Sequence, residues 1–352
     1  VMAEQSPPVA PDPDPLEAAA SSKGASRSRL ALASFILSFV PVLGILNLGG
    51  DLPPAVVITL WLLPVLSAVG AIIALKRIRM SGGRLRGRRL AIASLTLAIV
   101  LSLLCLLAHQ AYREWQIRRE LARQLACAAN LKQMGVVFKK FAADASDGLW
   151  PPLSPEEGHL MCTAKAICPQ YLADPRLLFC PSDARSGWPE YTEDMQRDPE
   201  SAFADSSYVY LGYVIMSDEE IAAFTEIYKQ RVAQGLGFEE DLDAPPGRGS
   251  MGTDTFYRLR NGVERAFLKD KQDAAAAAEI LSRIPVMWDA FCSTGPFSYF
   301  NHIPGGSNVL YMDGHVEFIR FPSGWPVTKR VAEITGELAS PAVSWPPGGG
   351  EP

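Results

Sequence analysis

Two histidines and two carboxylates lie close together in the sequence just after residue 300. They are His302, Asp313, His315 and Glu317. Each of these side chains can act as a general acid or base or can bind a metal ion. The segment therefore offers one chemical possibility, a hydrolase or metal-binding site. No G-x-S-x-G elbow, H-E-x-x-H pair or phosphate-binding loop accompanies it in the sequence.

A β-hairpin explains the same residues without any chemistry. Asp313-Gly314 stands between two strand-like runs and is the signal of a two-residue type I′ turn. The resulting register predicts a shared core face, formed by Val309, Tyr311, Val316 and Phe318. His315 and Glu317 then lie on the opposite, wetter face. This explanation is favoured, so no catalytic residue, metal site or cofactor is expected.

Four cysteines are predicted to form disulfides with one another if this part of the chain faces an oxidising compartment. They are Cys162, Cys168, Cys180 and Cys292, which allow three connectivities. A zinc site is the alternative, although no C-x-x-C pair is present and only His159 lies nearby. Free thiols remain the third possibility.

A helix packed by one face is predicted before the cysteine-rich region. Its apolar stripe recurs at steps of four, three, four and three residues, at Cys127, Leu131, Met134, Phe138 and Phe141. After a strand-like run at 207–216, a polar helical insertion is expected at about 217–284. Within the insertion, 238–253 is acidic and then rich in Gly and Pro, and is predicted to be a mobile loop.

Three apolar segments predict membrane spans. Leu90–Ala108 has nineteen residues without a charge, enough to cross a hydrocarbon core of about 30 Å. Leu30–Leu48 and Leu52–Leu75 are also uncharged but contain prolines, so kinks are expected. Seven basic residues and no acidic ones lie between Lys76 and Arg89, which places that loop in the cytoplasm. The N-terminus is then inside and the large C-terminal part outside.

This topology divides the chain into four predicted parts. They are a disordered leader at 1–29, a three-span membrane domain at 30–109, an extracytoplasmic domain at 110–338 and a disordered tail at 339–352. The residues from 110 onward include 23 basic and 33 acidic side chains. Such an acidic surface argues against nucleic acid as a partner, and none is expected. The expected partners are the lipid bilayer and proteins of the cell envelope, with no identified small-molecule ligand.

An internal repeat marks the start of two of the spans. Residues 29–34 read RLALAS and residues 89–94 read RLAIAS. Together with the intervening segment IALKRIRMSGGRLRGRRLAIAS at 73–94, the repeat resembles the small bacterial multi-span domain of unknown function numbered 4190. That resemblance implies membrane residence and no known chemistry.

A second resemblance covers most of 127–322. The motif residues are His302, Gly305, Gly306, Asp313 and Gly314. With the helix segment NLKQMG at 130–135, they resemble the bacterial prepilin-type H-x9-DG domain related to the family numbered 1559. The resemblance implies an α+β fold: transmembrane helices, then a pilin-like long helix packed on an antiparallel sheet with a helical insertion.

Two departures from that family bear on function. Ten residues rather than nine separate His302 from Asp313, and no prepilin-peptidase site precedes Leu90. We therefore expect a protein that stays in the bacterial cytoplasmic membrane as a multi-pass, non-enzymatic, pseudopilin-like structural or interaction protein. An association with type II secretion or pilus-type machinery is implied by the resemblance alone. The alternative is an extracytoplasmic hydrolase or metal-binding enzyme that uses the His302 to Glu317 region.

Overall fold

The structure is a computed structural model that describes residues 26–39, 54–82, 85–183, 198–294, 297–302 and 305–338. The predicted tail at 339–352 and the predicted leader up to residue 25 lie outside the described residues. The chain separates into two compact units, Val1–Ile117 and Arg118–Pro352. The fold class is α+β, as predicted.

The first unit contains two helices and the beginning of a third. The helices are α1 (Arg29–Leu37), α2 (Pro54–Met80) and α3 (Arg88–Asp144), the last with 57 residues. Ser28 caps α1, because its hydroxyl accepts a hydrogen bond from the Ala31 backbone N–H. The segments that precede the two copies of the internal repeat pair with each other, since β1 (Ser26–Arg27) is parallel to β2 (Leu85–Arg86).

Small side chains form the packed interior of this unit. Ser67 donates a hydrogen bond to the Ser34 carbonyl at 2.7 Å, and a Cβ on Gly70 would lie 2.5 Å from the Ser34 hydroxyl oxygen. The buried small residues include Ala31, Ser34, Ser38, Ser67, Ala71, Ala74, Ala91, Ser94 and Ala98. Large apolar side chains point outward, among them Leu32, Ile36, Leu66, Ile72, Ile92, Ile99, Leu103 and Leu104. The burial pattern is therefore the reverse of a water-soluble helix bundle.

One helix among the described residues, α3, is long and apolar enough to cross a membrane. The predicted span Leu52–Leu75 overlaps α2, and the predicted span Leu30–Leu48 overlaps α1 as far as Leu37. Residues 40–48 lie outside the described part of the chain. Three spans and their orientation therefore stay predictions.

A four-stranded antiparallel sheet forms the centre of the second unit. Its strand order is β10-β9-β6-β3. The strands are β3 (Tyr208–Tyr210), β6 (Pro285–Asp289), β9 (Gly306–Tyr311) and β10 (Val316–Arg320).

The predicted register of the β9–β10 hairpin is wrong by one residue. The structure pairs Val316 with Leu310, not with Tyr311. A shift of one residue moves every side chain of a strand to the other face. The predicted common face is therefore divided: Val309 and Tyr311 lie on one side of the sheet, and Val316 and Phe318 on the other.

The length of the loop explains the error. The Tyr311 N–H donates to the His315 carbonyl at 3.0 Å, which leaves three residues in the loop instead of two. Gly314, the last of them, has φ of +100°. A three-residue hairpin loop with a glycine at positive φ is the next commonest solution after the two-residue turn. The Asp313-Gly314 pair predicts the turn but does not fix its length.

Helices cover both faces of the sheet. The second half of α3 packs on one face, where a Cβ on Gly135 would lie 3.2 Å from Leu310. Helices α6 (Asp218–Ala233) and α8 (Lys329–Leu338) pack on the other face, around Val309 and Trp288. The α3 stripe is confirmed at Cys127, Leu131, Met134 and Phe138, which are fully buried, while Phe141 is partly buried.

The remaining elements are short. They are α4 (Ala164–Ile167), α5 (Pro199–Ala204), α7 (Ala274–Leu281), β4 (Leu242–Asp243), β5 (Thr255–Phe256), β7 (Phe291–Thr294) and β8 (Phe297–Phe300). The predicted mobile loop at 238–253 is wrong, because Phe238 is fully buried and β4 pairs with β5. Buried Arg258 donates to the Glu239 and Trp150 carbonyls and holds this segment against the core.

Candidate functional site

The four chemical residues picked out in the sequence do not form one site. Asp313 and His315 lie exposed at the hairpin loop, where their side chains contact each other at 2.6 Å and His315 stacks on Tyr311. His302 is completely buried and contacts different residues. Asp313 thus serves the turn, where its carboxylate accepts a hydrogen bond from the His315 backbone N–H, while His302 belongs to an interior cluster.

His302 lies between two carboxylates. Its Nε2 is 3.1 Å from Asp289 Oδ2, and its Nδ1 is 2.9 Å from Glu120 Oε1. Asp289 is also completely buried, and Glu120 is about one-fifth exposed. With both ring nitrogens protonated, the imidazolium donates one hydrogen bond to each carboxylate.

Three parts of the fold bring these side chains together. Glu120 comes from α3, in the part of the helix that packs on the sheet. Asp289 is the last residue of β6, and His302 lies between β8 and β9. The contacts therefore join the long helix to the sheet and to the segment that enters β9.

Asn308 fixes the orientation of the Asp289 carboxylate. Its backbone N–H and its side-chain Nδ2 each donate to Asp289 Oδ2 at 2.8 Å. The same Nδ2 lies 3.3 Å from the Gln124 carbonyl on α3. Asp289 Oδ1, in contrast, is buried and has no hydrogen-bond partner among the described residues.

The two carboxylates control the charge of His302. Burial alone would lower its pKa, but the hydrogen bonds and negative charges of Asp289 and Glu120 outweigh that effect and raise the pKa to about 9. His302 is therefore charged at neutral pH. A buried cation with a carboxylate on each side is a fully paired arrangement, in which neither ring nitrogen lacks an acceptor.

A disulfide lies directly against this cluster. It joins Cys127 of α3 to Cys180, and Cys180 Sγ is 3.5 Å from His302 Nε2. The predicted set of pairing cysteines is therefore wrong in one respect, because the partner of Cys180 lies outside it. Cys127 falls on the α3 stripe, so its sequence context indicates a packed helix residue. Side-chain packing of α3 on the sheet brings it to Cys180.

Two further cysteines of the predicted set are free thiols. Cys162 is buried and Cys168 is half-buried. Burial raises the pKa of the Cys162 thiol, and burial together with Glu200 raises that of Cys168 to about 11. Both thiols are protonated at neutral pH and are unreactive on that account. Cys292, the fourth member of the set, is buried in β7, and His159 contacts Glu156 at 3.0 Å.

The three glycines of the motif differ in what the structure requires of them. A Cβ on Gly306 would lie 2.5 Å from Phe318 Cζ and 2.7 Å from the Ile319 carbonyl oxygen, so only glycine fits there. A Cβ on Gly305 would meet Phe300 at an ordinary 3.6 Å. Gly314 supplies the positive φ of the hairpin loop.

Sequence reasoning missed most partners of His302. Glu120 lies 182 positions from the histidine, and its charge is one of several on a basic and acidic helix segment. Asp289 ends the apolar run IPVMWD. A single carboxylate at the end of a strand that is predicted to be buried is a sequence signal that could have identified it as a partner. Cys127 was placed correctly on the helix stripe without its partner.

Comparison of the chain with protein-family models, curated proteins and solved structures finds no match in any of the three. The resemblances to the multi-span domain and to the prepilin-type domain therefore stay predictions. The cluster itself is closed to solvent at His302, Asp289 and Cys180. Its first effect is thus to join α3, the Cys180 segment and the sheet.

Proposed function

We propose that this chain is a membrane-anchored, pseudopilin-like structural or interaction protein of the bacterial cell envelope. Its second unit, from Arg118 to Leu338, lies outside the cytoplasmic membrane in this proposal. The observation that carries the proposal is the change of burial along the single helix α3. Apolar side chains are exposed in its first part, and an apolar stripe is buried in its second part.

The exposed surface of the first part of α3 is suited to contact with lipid. Leu103 and Leu104 are each more than half exposed, whereas Ala91, Ser94 and Ala98 are buried. Small residues at helix contacts and large apolar residues outside are typical of helices that pack in a bilayer, where exposure of leucine costs nothing. The first unit supports a membrane domain for this reason, and a multi-pass arrangement with the N-terminus inside is part of the proposal.

The second part of α3 is suited to a water-exposed domain. The buried stripe around Leu131 and Phe138 packs on the sheet, and Lys139 donates to the Asp313 carbonyl at 2.9 Å on the solvent side. A long helix that leaves the membrane and packs on an antiparallel sheet is the arrangement implied by the prepilin-type resemblance. Envelope proteins, including type II secretion or pilus-type machinery, are the partners that this resemblance favours.

The alternative function, a hydrolase or metal enzyme that uses the His302 to Glu317 region, has less support. His302 is completely buried, and Asp313 and His315 lie elsewhere on the exposed hairpin. A catalytic site needs access for substrate. The exposed Asp313–His315 pair belongs to the hairpin loop, apart from the buried cluster around His302, so the region does not bring its candidate groups together in one accessible site.

Export of the second unit tests the proposal. The full chain, with a reporter fused to its C-terminus, is expressed in bacteria as an alkaline phosphatase fusion and as a fusion to a protein that fluoresces only in the cytosol. We expect phosphatase activity, no cytosolic fluorescence, and oxidation of the Cys127–Cys180 pair, measured by thiol alkylation before and after reduction. A C-terminus that is active only in the cytosol overturns the proposal.

A matched pair of variants makes this test specific for the first part of α3. The double substitution Val100→Arg with Leu103→Arg places two charges at exposed positions in the apolar segment. Each arginine costs about 2.5 to 3.5 kcal/mol at the centre of a membrane helix, so export should be lost. The control is Leu121→Arg with Leu125→Arg, at exposed leucines on the same helix in the second unit. The control should be exported like the parent chain.

A further inference from the structure

Four potential metal ligands converge at the cluster around His302. Cys127, Cys180, Asp289 and His302 each offer one ligand atom, these atoms all lie within 4.8 Å of one another, and all four residues are buried. They come from α3, from the segment after Leu178, from β6 and from the approach to β9. No two are neighbours in sequence, so the cluster exists only in the folded chain.

We propose that this cluster binds a zinc-class divalent ion when the Cys127–Cys180 disulfide is reduced. The ligands are the two thiolates, His302 Nε2 and one carboxylate oxygen of Asp289. The same four side chains thus have two exclusive states, a disulfide or a metal site. This inference goes beyond the proposed function and holds on either side of the membrane.

The distances fit a tetrahedral site. With zinc bonds of about 2.3 Å to sulfur and about 2.0 Å to nitrogen or oxygen, neighbouring ligand atoms lie roughly 3.3 to 3.8 Å apart. His302 Nε2 is already 3.5 Å from Cys180 Sγ, and the Asp289 carboxylate approaches Nε2 to 3.1 Å through Oδ2. All four ligand atoms lie within 4.8 Å of one another, and breaking the disulfide lets the two sulfur atoms separate to the spacing of a metal site.

The outer contacts also fit a metal site. A metal-binding histidine usually donates its second N–H to a carboxylate, and Glu120 stands 2.9 Å from His302 Nδ1 for this role. Ligating carboxylates are themselves hydrogen-bonded, and Asn308 donates twice to Asp289 Oδ2. This second shell is therefore complete in the folded chain.

An unsatisfied buried atom gives independent support. Asp289 Oδ1 is buried with no hydrogen-bond partner among the described residues, while Oδ2 accepts from Asn308 and His302. A buried carboxylate oxygen without a partner costs free energy, which a bound cation offsets. The carboxylate can therefore use its second oxygen for the metal without losing Asn308.

The charge and proton balance define the step. A dithiol supplies two electrons and two protons and becomes a disulfide itself, whereas a phosphine supplies the two electrons and takes an oxygen from water, which supplies the two protons. Either reductant converts the Cys127–Cys180 disulfide into two thiols. Binding of M²⁺ then releases one proton from each thiol, and His302 binds as a neutral imidazole through Nε2. Two thiolates and an imidazole favour zinc over magnesium or calcium, which prefer oxygen ligands. Full burial leaves no open position for substrate, so the site is structural.

Cobalt provides a spectroscopic test on the full chain. The protein is purified in detergent, reduced with a phosphine, desalted without oxygen and mixed with Co²⁺. We expect one tightly held equivalent with the absorption of thiolate-bound tetrahedral cobalt, and displacement of that ion by Zn²⁺. The oxidised chain should hold none. The comparison of the two redox states needs no variant, so a folding defect cannot obscure it.

Variants assign the ligands. Cys127→Ser or Cys180→Ser should abolish the thiolate absorption, and Asp289→Asn, which keeps the size of the side chain, should weaken binding at least tenfold. Glu120→Gln should weaken binding by roughly 10- to 100-fold through His302. The control combines Cys162→Ala with Cys168→Ser, at thiols outside the cluster, and should bind like the parent chain.

Two results would overturn the inference. One is a reduced parent chain that retains no Co²⁺ or Zn²⁺ after desalting. The other is loss of the cobalt absorption in the Cys162 and Cys168 control with full retention in the Cys127→Ser variant, which would place the metal on different thiols.

Discussion

The environment of single residues in the second unit depends on partners that lie far away in the chain. His302 was recognisable as a residue capable of chemistry, but its environment was not, because Glu120 lies 182 positions away. A local pattern carries no information about such a pair until the fold is known. Asp313 and Gly314 were predictable because a tight turn needs those residue types within a few positions.

Gly306 provides a test at this scale. Replacement by alanine should lower the free energy of unfolding by about 1 to 3 kcal/mol, because the added Cβ overlaps Phe318 and the Ile319 carbonyl. Urea unfolding of the full chain, followed by tryptophan fluorescence, measures the change. Gly305→Ala is the matched control and should differ little from the parent, since its Cβ meets Phe300 at an ordinary distance. Equal stability of the two variants would contradict this account.

The sequence predicts the individual helices and strands better than the register in which the strands pair. The α3 stripe follows from a repeat of three and four residues, and it is buried where it was expected. The β9–β10 hairpin was placed correctly, yet its register depended on one loop residue. The loop at 238–253 looked mobile because its acids and glycines lack periodicity. Its order comes from Arg258, which contacts main-chain carbonyls and leaves no pattern in the sequence.

Two leucines of α3 test the packing of this helix on the sheet. Leu131 is fully buried and Leu125 is largely exposed. Leu131→Ala should lower the free energy of unfolding by about 2 to 5 kcal/mol, because it leaves a cavity between helix and sheet. Leu125→Ala should change it by less than about 0.5 kcal/mol. Thermal unfolding monitored by circular dichroism measures both, and a large effect at Leu125 would argue for a different helix face.

At the scale of the second unit, the sheet differs from the expectation of one core face and one wet face. Helices α6 and α8 cover the Val309 side of β9, which was expected to be the core, and helix α3 covers the opposite side at Leu310, so β9 is buried on both faces. Alternation of apolar and polar residues predicts a half-buried sheet well. It fails for strands covered on both faces, such as β6 and β9, in which every residue is buried.

The Cys127–Cys180 disulfide should contribute strongly to the stability of this unit. It joins positions 53 residues apart, and closing a loop of that length stabilises by about 4 kcal/mol in the chain-entropy account. Reduction in a metal-free buffer should therefore shift urea unfolding to a lower midpoint. A Cys168→Ser chain should respond to the reductant in the same way. An unchanged midpoint after complete reduction would contradict the prediction.

The positions of the four proposed ligands along the chain also determine the order in which they are synthesised. During synthesis Cys127 and Cys180 emerge more than a hundred residues before Asp289 and His302. An oxidant can therefore form the Cys127–Cys180 disulfide in the nascent chain before Asp289 and His302 have been synthesised.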